Sequence, residues 1–111
     1  MPIIVSYIDT RYTHFMIQHF ASKTAQDIYN GVNSRYARKV SRALHPKARR
    51  LLDQINAAPS LAFLRVPPSN RLEKLSGSLA EYWSLRINNQ WRIIFRWIDH
   101  DAVDVDITDS H

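Results

Sequence analysis

Trp83-Ser84-Leu85-Arg86-Ile87-Asn88-Asn89-Gln90-Trp91-Arg92-Ile93-Ile94-Phe95-Arg96-Trp97-Ile98 is the stretch that decides the fold. Its large apolar side chains recur at every second position. Trp83, Leu85 and Ile87 stand before the polar break, and Trp91, Ile93, Phe95 and Trp97 after it. A period of two marks a strand, because successive side chains point to opposite faces of a sheet. Two such runs around a short polar break predict an antiparallel hairpin. Parity then constrains its turn. Odd residues meet odd residues across the hairpin only if paired numbers sum to an even value. Ile87 therefore pairs with Trp91 and Arg86 with Arg92, which leaves three residues in the turn. A two-residue turn would send one strand's apolar side chains to the wrong face unless a bulge compensated.

Working outward, Val103, Val105 and Ile107 alternate with Asp104, Asp106 and Thr108 and predict a further strand. Residues 70–75, Asn-Arg-Leu-Glu-Lys-Leu, read as another. The shared odd-numbered apolar face needs a cover. Two helices upstream supply it. The first is expected over residues 22–30, with Ser22 as its cap and Gly31 as a left-handed stop. The second is expected over residues 42–57, capped by Ser41, with Leu44, Ala48, Leu51, Leu52 and Ile55 on one stripe of period 3.6. Pro46 fits there only within the first turn, where backbone N–H groups have no helical partner. Pro59, Pro67 and Pro68 mark the loop that follows. The expected fold class is α+β, with two N-terminal helices packed on one face of a twisted antiparallel sheet.

The chain's 111 residues suffice for one domain. With 45% hydrophobic residues and only two Gly, it reads as ordered rather than as a disordered binder. Absence of Cys excludes disulfides and Cys-based zinc sites and suits a reducing cytoplasm. No apolar run approaches a membrane span, and residues 1–8 lack the basic leader of a signal peptide. Residues 1–15 read as an N-terminal extension, with Met16 a possible alternative start and residues 16–111 the single domain. The net charge of +5 points to a polyanionic partner, nucleic acid first. That charge is unevenly spread: residues 35–50 hold seven Lys or Arg and no acid, whereas residues 99–109 hold five acids and no Lys or Arg.

Candidate chemistry sits on the even-numbered face of the sheet, which carries Arg86, Arg92 and Arg96. Like charges directly opposite each other are destabilising. Arg86 and Arg92 as cross-strand partners therefore want an anion between them, or else local pairing with Glu73 or Glu81. Arg71 and Lys74 add two cations, and Asp109 and His111 close the chain. A metal site built from Asp104, Asp106, Asp109 and His111 would need converging ligands. Strand alternation opposes it, because Asp104 and Asp106 share one parity and Asp109 and His111 the other.

Three segments together carry a resemblance: Pro67-Pro68-Ser69-Asn70-Arg71-Leu72-Glu73, the hairpin Ser84-Leu85-Arg86-Ile87-Asn88-Asn89-Gln90-Trp91-Arg92-Ile93, and the ending Asp109-Ser110-His111. Over residues 16–111 the chain resembles the HigB-type toxins of the RelE superfamily. The resemblance implies the two-helix, antiparallel-sheet fold and opens it with a short strand at Met16-Ile17-Gln18-His19-Phe20. It implies a ribosome-dependent, metal-independent endoribonuclease that cleaves mRNA, uses no cofactor and works in the cytoplasm. It also implies a helix-turn-helix antitoxin of the HigA type as partner. Residue by residue, Arg92 matches the hairpin arginine that contacts the scissile phosphate. Glu73 stands where some members carry a catalytic His, and Asp109 and His111 match the ends of a terminal Asp-Tyr-His. The expected catalytic set is Glu73, Arg92, Asp109 and His111, with Arg71, Lys74, Arg86 and Arg96 binding RNA. Ser76, Ser78 and Ser110 depart from the family's Lys, Asp and Tyr. They keep open a second reading, an RNA or ribosome-binding module that blocks translation without cutting. A third is a purely structural partner of a regulatory protein.

Overall fold

A computed structural model describes residues 17 and 19–110 of the protein. The expected extension over residues 1–15, the start at Met16 and the terminal His111 lie outside the described residues. Helix α1 spans Lys23–Asn30 and helix α2 His45–Ala57. Four strands follow: β1 Glu73–Lys74, β2 Trp83–Arg86, β3 Trp91–Ile98 and β4 Asp101–Asp109. They form an antiparallel sheet in the order β1-β2-β3-β4.

Both helices begin and end for local reasons. Ser22 caps α1, its hydroxyl accepting the Ala25 N–H at 3.1 Å, while Gly31 stops it at φ 72°. Asp27, buried in α1, accepts the Ser34 hydroxyl at 2.7 Å and the Lys23 ammonium at 3.1 Å, which ties the loop after α1 to the helix. Pro46 lies in the first turn of α2, as the missing N–H requires. The expected cap at Ser41 is not made. A 3₁₀ turn over Arg42–Leu44 precedes α2 instead, and the Ser41 side chain caps neither.

The β2–β3 hairpin has the register that parity demands. Leu85 pairs with Ile93 and Arg86 with Arg92, and the Ile87 N–H donates to the Trp91 carbonyl at 2.9 Å across a three-residue turn. Asn88 Oδ1 organises that turn by accepting the N–H groups of Gln90 and Trp91 at 2.9 and 2.7 Å. Leu85, Ile87, Ile93, Phe95, Val105 and Ile107 consequently share one buried face, packed against Ala25 and Ile28 of α1 and Leu51, Leu52 and Ile55 of α2. Upstream of α1, Ile17 and Phe20 form parallel bridges to Ala102 and Val105, which extends the sheet beyond β4.

Two expectations are corrected. The strand expected over residues 70–75 shrinks to Glu73–Lys74. Asn70 is buried, donating to Gln54 Oε1 at 2.9 Å, and Arg71 adopts φ 51°, so the chain is turning where a strand would have to be straight. Val103, expected on the core face, lies opposite Arg96 on the other face. The cause is a β-bulge. Between the pairs Ile94–Asp106 and Arg96–Val103, β3 advances two residues and β4 three. The extra residue falls at Asp104 (φ 53°), and it moves Ala102 onto the core face in place of Val103.

The β3–β4 connection has two residues, Asp99 and His100, both at positive φ (49° and 72°), as the right-handed twist of a tight hairpin requires. Left-handed backbone costs a non-glycine residue roughly 1–2 kcal/mol, part of which glycine's greater chain entropy offsets. His100→Gly is therefore expected to stabilise the protein by about 0.5–1 kcal/mol. Thermal unfolding followed by circular dichroism should show a midpoint raised by a few degrees, and a lowered midpoint would contradict the turn assignment.

Candidate phosphate-binding cleft

At the end of the sheet nearest the Asn88–Gln90 turn, the even-numbered side chains open into a cleft of about 130 Å³. Arg86 and Arg92 stand opposite each other on β2 and β3. Arg71 and Glu73 enter from the β1 side, and Ser84, Asn88, Asn89 and Ser110 complete the walls. The left-handed backbone at Arg71 and the buried Asn70 beside it set the angle at which Arg71 and Glu73 reach the cleft.

Its electrostatics are unbalanced. Glu73, the carboxylate that lines the cleft, pairs with Arg71 at 3.5 Å, and both side chains are more than half exposed. Arg86 Nη2 bonds the Asn89 carboxamide oxygen, a neutral partner. The Nε of Arg92 is buried and has no hydrogen-bond partner among the described residues. Neither of the two carboxylates expected as local partners for the arginine pair takes that role. Glu73 is engaged by Arg71, and Glu81 by Arg96 at 3.3 Å. Three guanidinium groups and one carboxylate thus converge on a space that suits one phosphate group or a similar small oxyanion.

The expected site residues divide accordingly. The fold brings Arg71, Glu73, Arg86 and Arg92 together. Arg96 shares their face of β3 but does not line the cleft. Its Nε donates to Asp104 Oδ2 at 2.9 Å and its Nη1 to Glu81, so it is neutralised within the fold. Lys74 turns away, donating to the Ala80 carbonyl at 2.6 Å and standing 5.5 Å from the centre of the Trp83 ring. Asp109 lies on the other side of β4, where it accepts from Gln90 Nε2 at 3.1 Å and lines a separate pocket with Trp91. His111 follows Ser110 and lies outside the described residues. Sequence reasoning missed Ser84, Asn88, Asn89 and Ser110 as walls. Parity alone could have placed Ser84 and Ser110, even-numbered residues beside Arg86 and Thr108. The Ser110 hydroxyl is folded onto the turn, donating to the carbonyls of Asn89 and Gln90 at 3.1 and 2.9 Å.

Among the described residues, no three His, Cys, Asp or Glu side chains are grouped so that they could hold a metal ion. Asp104 is shared between Arg96 and His19, and Asp106 accepts from Ser22. No described helix is long and apolar enough to cross a membrane.

The described residues form a small α+β domain with a cationic cleft at one end of its sheet, and comparison with known proteins gives the family. Residues 18–111 match the family of RelE-like toxins of type II toxin–antitoxin systems called HigB-like toxins, and the chain belongs to it. Toxin HigB-1 of Vibrio cholerae is 44% identical over 54 residues, an alignment that spans 49% of this chain and 57% of that relative's length. In three dimensions the chain is similar to the YoeB–YefM complex of Staphylococcus aureus (TM-score 0.56, 21% identity, 88% of this chain and 98% of that chain). It is also similar to YafQ of Escherichia coli (TM-score 0.52, 16% identity, 85% and 91%). Both share the fold at low identity.

The charged network beside the cleft gives a pH prediction. The hydrogen bond from Arg96, reinforced by His19, holds the Asp104 carboxyl below its ordinary value. Asp27 is likewise lowered, chiefly by the Ser34 hydroxyl and then by Lys23. A depressed carboxyl pKa adds stability that is fully present above the unfolded value of 3.8 and is lost as pH falls through the folded one. The unfolding midpoint should fall steeply below about pH 4. Asp104→Asn keeps the tolerance for left-handed backbone and removes the charge. Its midpoint should be lower at pH 7 and fall less on acidification, and an unchanged acid slope would sink this assignment.

Proposed function

We propose that the protein is the toxin of a type II toxin–antitoxin pair and a ribosome-dependent endoribonuclease that cleaves mRNA without a metal ion. The observation that carries this reading is the cleft in which the buried Arg92 Nε lacks a partner and Arg86 has only a neutral one.

RNA supplies its own nucleophile, the 2′-hydroxyl. Cleavage forms a bond from the 2′-oxygen to phosphorus and breaks the bond to the 5′-oxygen. The products are a 2′,3′-cyclic phosphate and a free 5′-hydroxyl. Such a step needs a base for the 2′-hydroxyl proton, cations for the charge on the phosphorane, and an acid for the departing 5′-oxygen. In this reading Arg92 and Arg86 bind the scissile phosphate and hold the developing charge. Glu73 is the base. It stands beside Arg71, which pairs with its carboxylate at 3.5 Å. His111, next in the chain after cleft-lining Ser110, is the proposed acid. Asp109 has no proton-transfer role, because its carboxylate is not in the cleft. The ribosome holds the mRNA and supplies orientation that this sparse site lacks.

The partner in this reading is a helix-turn-helix antitoxin of the HigA type, which would offer acidic surface to a domain of net charge +5. The YoeB–YefM neighbour is itself a complex, which fits a binding partner for this fold. A cytoplasmic setting follows from an mRNA substrate on the ribosome.

A second reading has its own support. The Ser110 hydroxyl donates its proton to carbonyls of the turn, so it does not take the place of the tyrosine that the family resemblance leads one to expect there. A domain that binds the ribosome and blocks translation without cutting is consistent with that. Induced expression in bacterial cells separates the two. Growth arrest with new mRNA 5′-hydroxyl ends inside reading frames, both abolished by Arg92→Ala, is the expected result. Arrest without new ends would establish the non-cutting binder, and harmless expression would overturn both.

Binding should also depend on salt. Each phosphate contact to single-stranded RNA contributes a slope of about −0.7 to log K against log salt. Arg92→Gln should flatten that slope by about 0.7 for a non-cleavable RNA, measured by anisotropy from 50 to 300 mM salt. An unchanged slope would remove Arg92 from the phosphate site.

A further inference from the structure

Arg71 and Glu73 reach the same cleft but are held there in different ways. Glu73 is placed by strand register, since it pairs with Ser84 on β2. Arg71 lies before β1 and has no strand partner. It adopts φ 51°, a left-handed backbone that is costly for a residue with a side chain and persists only where its surroundings impose it. Its ion pair with Glu73 does not impose it, because at 3.5 Å between two side chains more than half exposed that attraction is weak.

The anchors stand on either side of Arg71 in the chain. Leu72 packs against the core. Asn70 is 3% exposed, and its Nδ2 donates to Gln54 Oε1 at 2.9 Å and, at a longer 3.4 Å, to the carbonyls of Leu64 and Val66. Those two carbonyls can only accept, which fixes the amine as the inward end of the Asn70 amide and makes Oε1 of Gln54 its third acceptor. The shortest of the three bonds therefore runs to helix α2. That helix is itself mounted firmly, with Leu51, Leu52 and Ile55 fully buried around position 54. Between the fixed residues 70 and 72 the chain passes through the left-handed conformation at Arg71.

We propose that Gln54 is a positioning residue of the cleft: by holding Asn70 it keeps Arg71 left-handed and its guanidinium at the phosphate. The inference rests on the RNA-binding reading of the cleft and deepens it by tracing one of the three cations to a support on α2. Gln54 does not line the cleft, so its effect passes through Asn70 to Arg71. A site carried by a rigid helix holds its geometry more closely than one carried by a loop alone. Arg86 and Arg92 have their support in the hairpin register, and Arg71, which has no such register, takes its support from Gln54 instead.

The test measures binding of a fluorescein-labelled 2′-O-methyl RNA, which lacks the nucleophile and is not cut. Anisotropy is read at a salt concentration that screens small changes in net charge. Gln54 is half-buried, and Gln54→Leu keeps a good helix former while removing the acceptor. It should weaken binding about threefold, and Arg71→Ala about fivefold. In the double variant the loss should be no greater than from Arg71→Ala alone, because Gln54 acts through that side chain. Gln54→Glu keeps an acceptor oxygen and should bind as the unaltered chain does. The backbone carbon chemical shifts of Arg71 should leave the left-handed range in Gln54→Leu and stay within it in Gln54→Glu. Gln54→Ala, which adds no bulk, gives the same comparison should Gln54→Leu not fold. Equal losses from Gln54→Leu with and without the Arg71 side chain would mean a general loosening of the fold and would overturn the positioning role. No loss from Gln54→Leu would overturn it too. Arg92→Ala, measured alongside, tests the cleft itself. If it weakens binding while Gln54→Leu does not, the cleft reading stands without this support, and if neither does, both fall.

Discussion

The register of the β2–β3 hairpin is the constraint on which the rest of the protein depends. A three-residue turn pairs Leu85 with Ile93 and Arg86 with Arg92. Everything else follows from parity. The odd residues become the floor on which α1 and α2 pack. The even residues become a face where two arginines confront each other. A slip of one residue would bury Arg92 beneath the helices and expose Ile93 and Phe95. The apolar core therefore holds the arginine pair in place, although the pair itself contributes repulsion rather than stability. Asn88 reinforces the register locally, because its side chain occupies the two N–H groups at which a shorter turn would close.

The bulge at Asp104 is the second constraint, and it acts on the same face. By inserting one residue into β4 it ends the strict alternation that the lower half of the strand obeys. It also aims a carboxylate at Arg96 and His19. Arg96 is thereby removed from the pool of free cations, and Arg92, four residues earlier on the same face of the same strand, is left without such compensation. Two arginines that look equivalent in the sequence acquire opposite characters. One is a structural ion-pair partner, its guanidinium held charged by Asp104 first and Glu81 after it. The other faces a small cleft. Neutralising the upper part of the face also confines its uncompensated positive charge to the turn end, which sharpens the site to about the size of one phosphate.

Much of this was legible because the residues concerned report local physics. Alternation in Trp83–Ile98 gave the hairpin and its pairing. Ser22, Gly31 and Pro46 marked helix ends through their own hydrogen-bonding and backbone preferences. Arg86 and Arg92 followed from parity, with no structure needed. What escaped depends on non-local contacts. Around Asp104 the alternation of Val103 and Val105 fits an unbroken strand, and Ala102 is also apolar enough for the core, so hydropathy does not reveal the extra residue. The short β1 reflects the burial of Asn70 against Gln54, sixteen positions earlier in the chain. Lys74 and Arg96 resemble their neighbours in composition. The partners that divert them, the Ala80 carbonyl and Trp83 for one and Asp104 and Glu81 for the other, are set by the loop after β1 and by the bulge. Asp109 was placed with the catalytic groups on the strength of resemblance, whereas its odd number already assigned it to the other face.

The cleft can be understood as a site whose cost is carried by the fold before any ligand arrives. A buried donor without an acceptor, such as Arg92 Nε, costs roughly 1–3 kcal/mol. Opposing guanidinium groups add to that penalty. Both terms are relieved when an oxyanion enters, and they are relieved further as its charge increases, as on the path from a phosphodiester to a phosphorane. Interactions that strengthen with developing charge lower the barrier and do not merely tighten substrate binding. Lysine in place of Arg92 would keep the charge but lose the fixed planar array of donors, one of which is the buried Nε. The geometry of the group, held by the hairpin register, is therefore as much a part of the site as its charge. The same logic accounts for the neutral partner at Arg86. Asn89 orients that guanidinium without cancelling its charge, so its attraction for an anion survives the ordering.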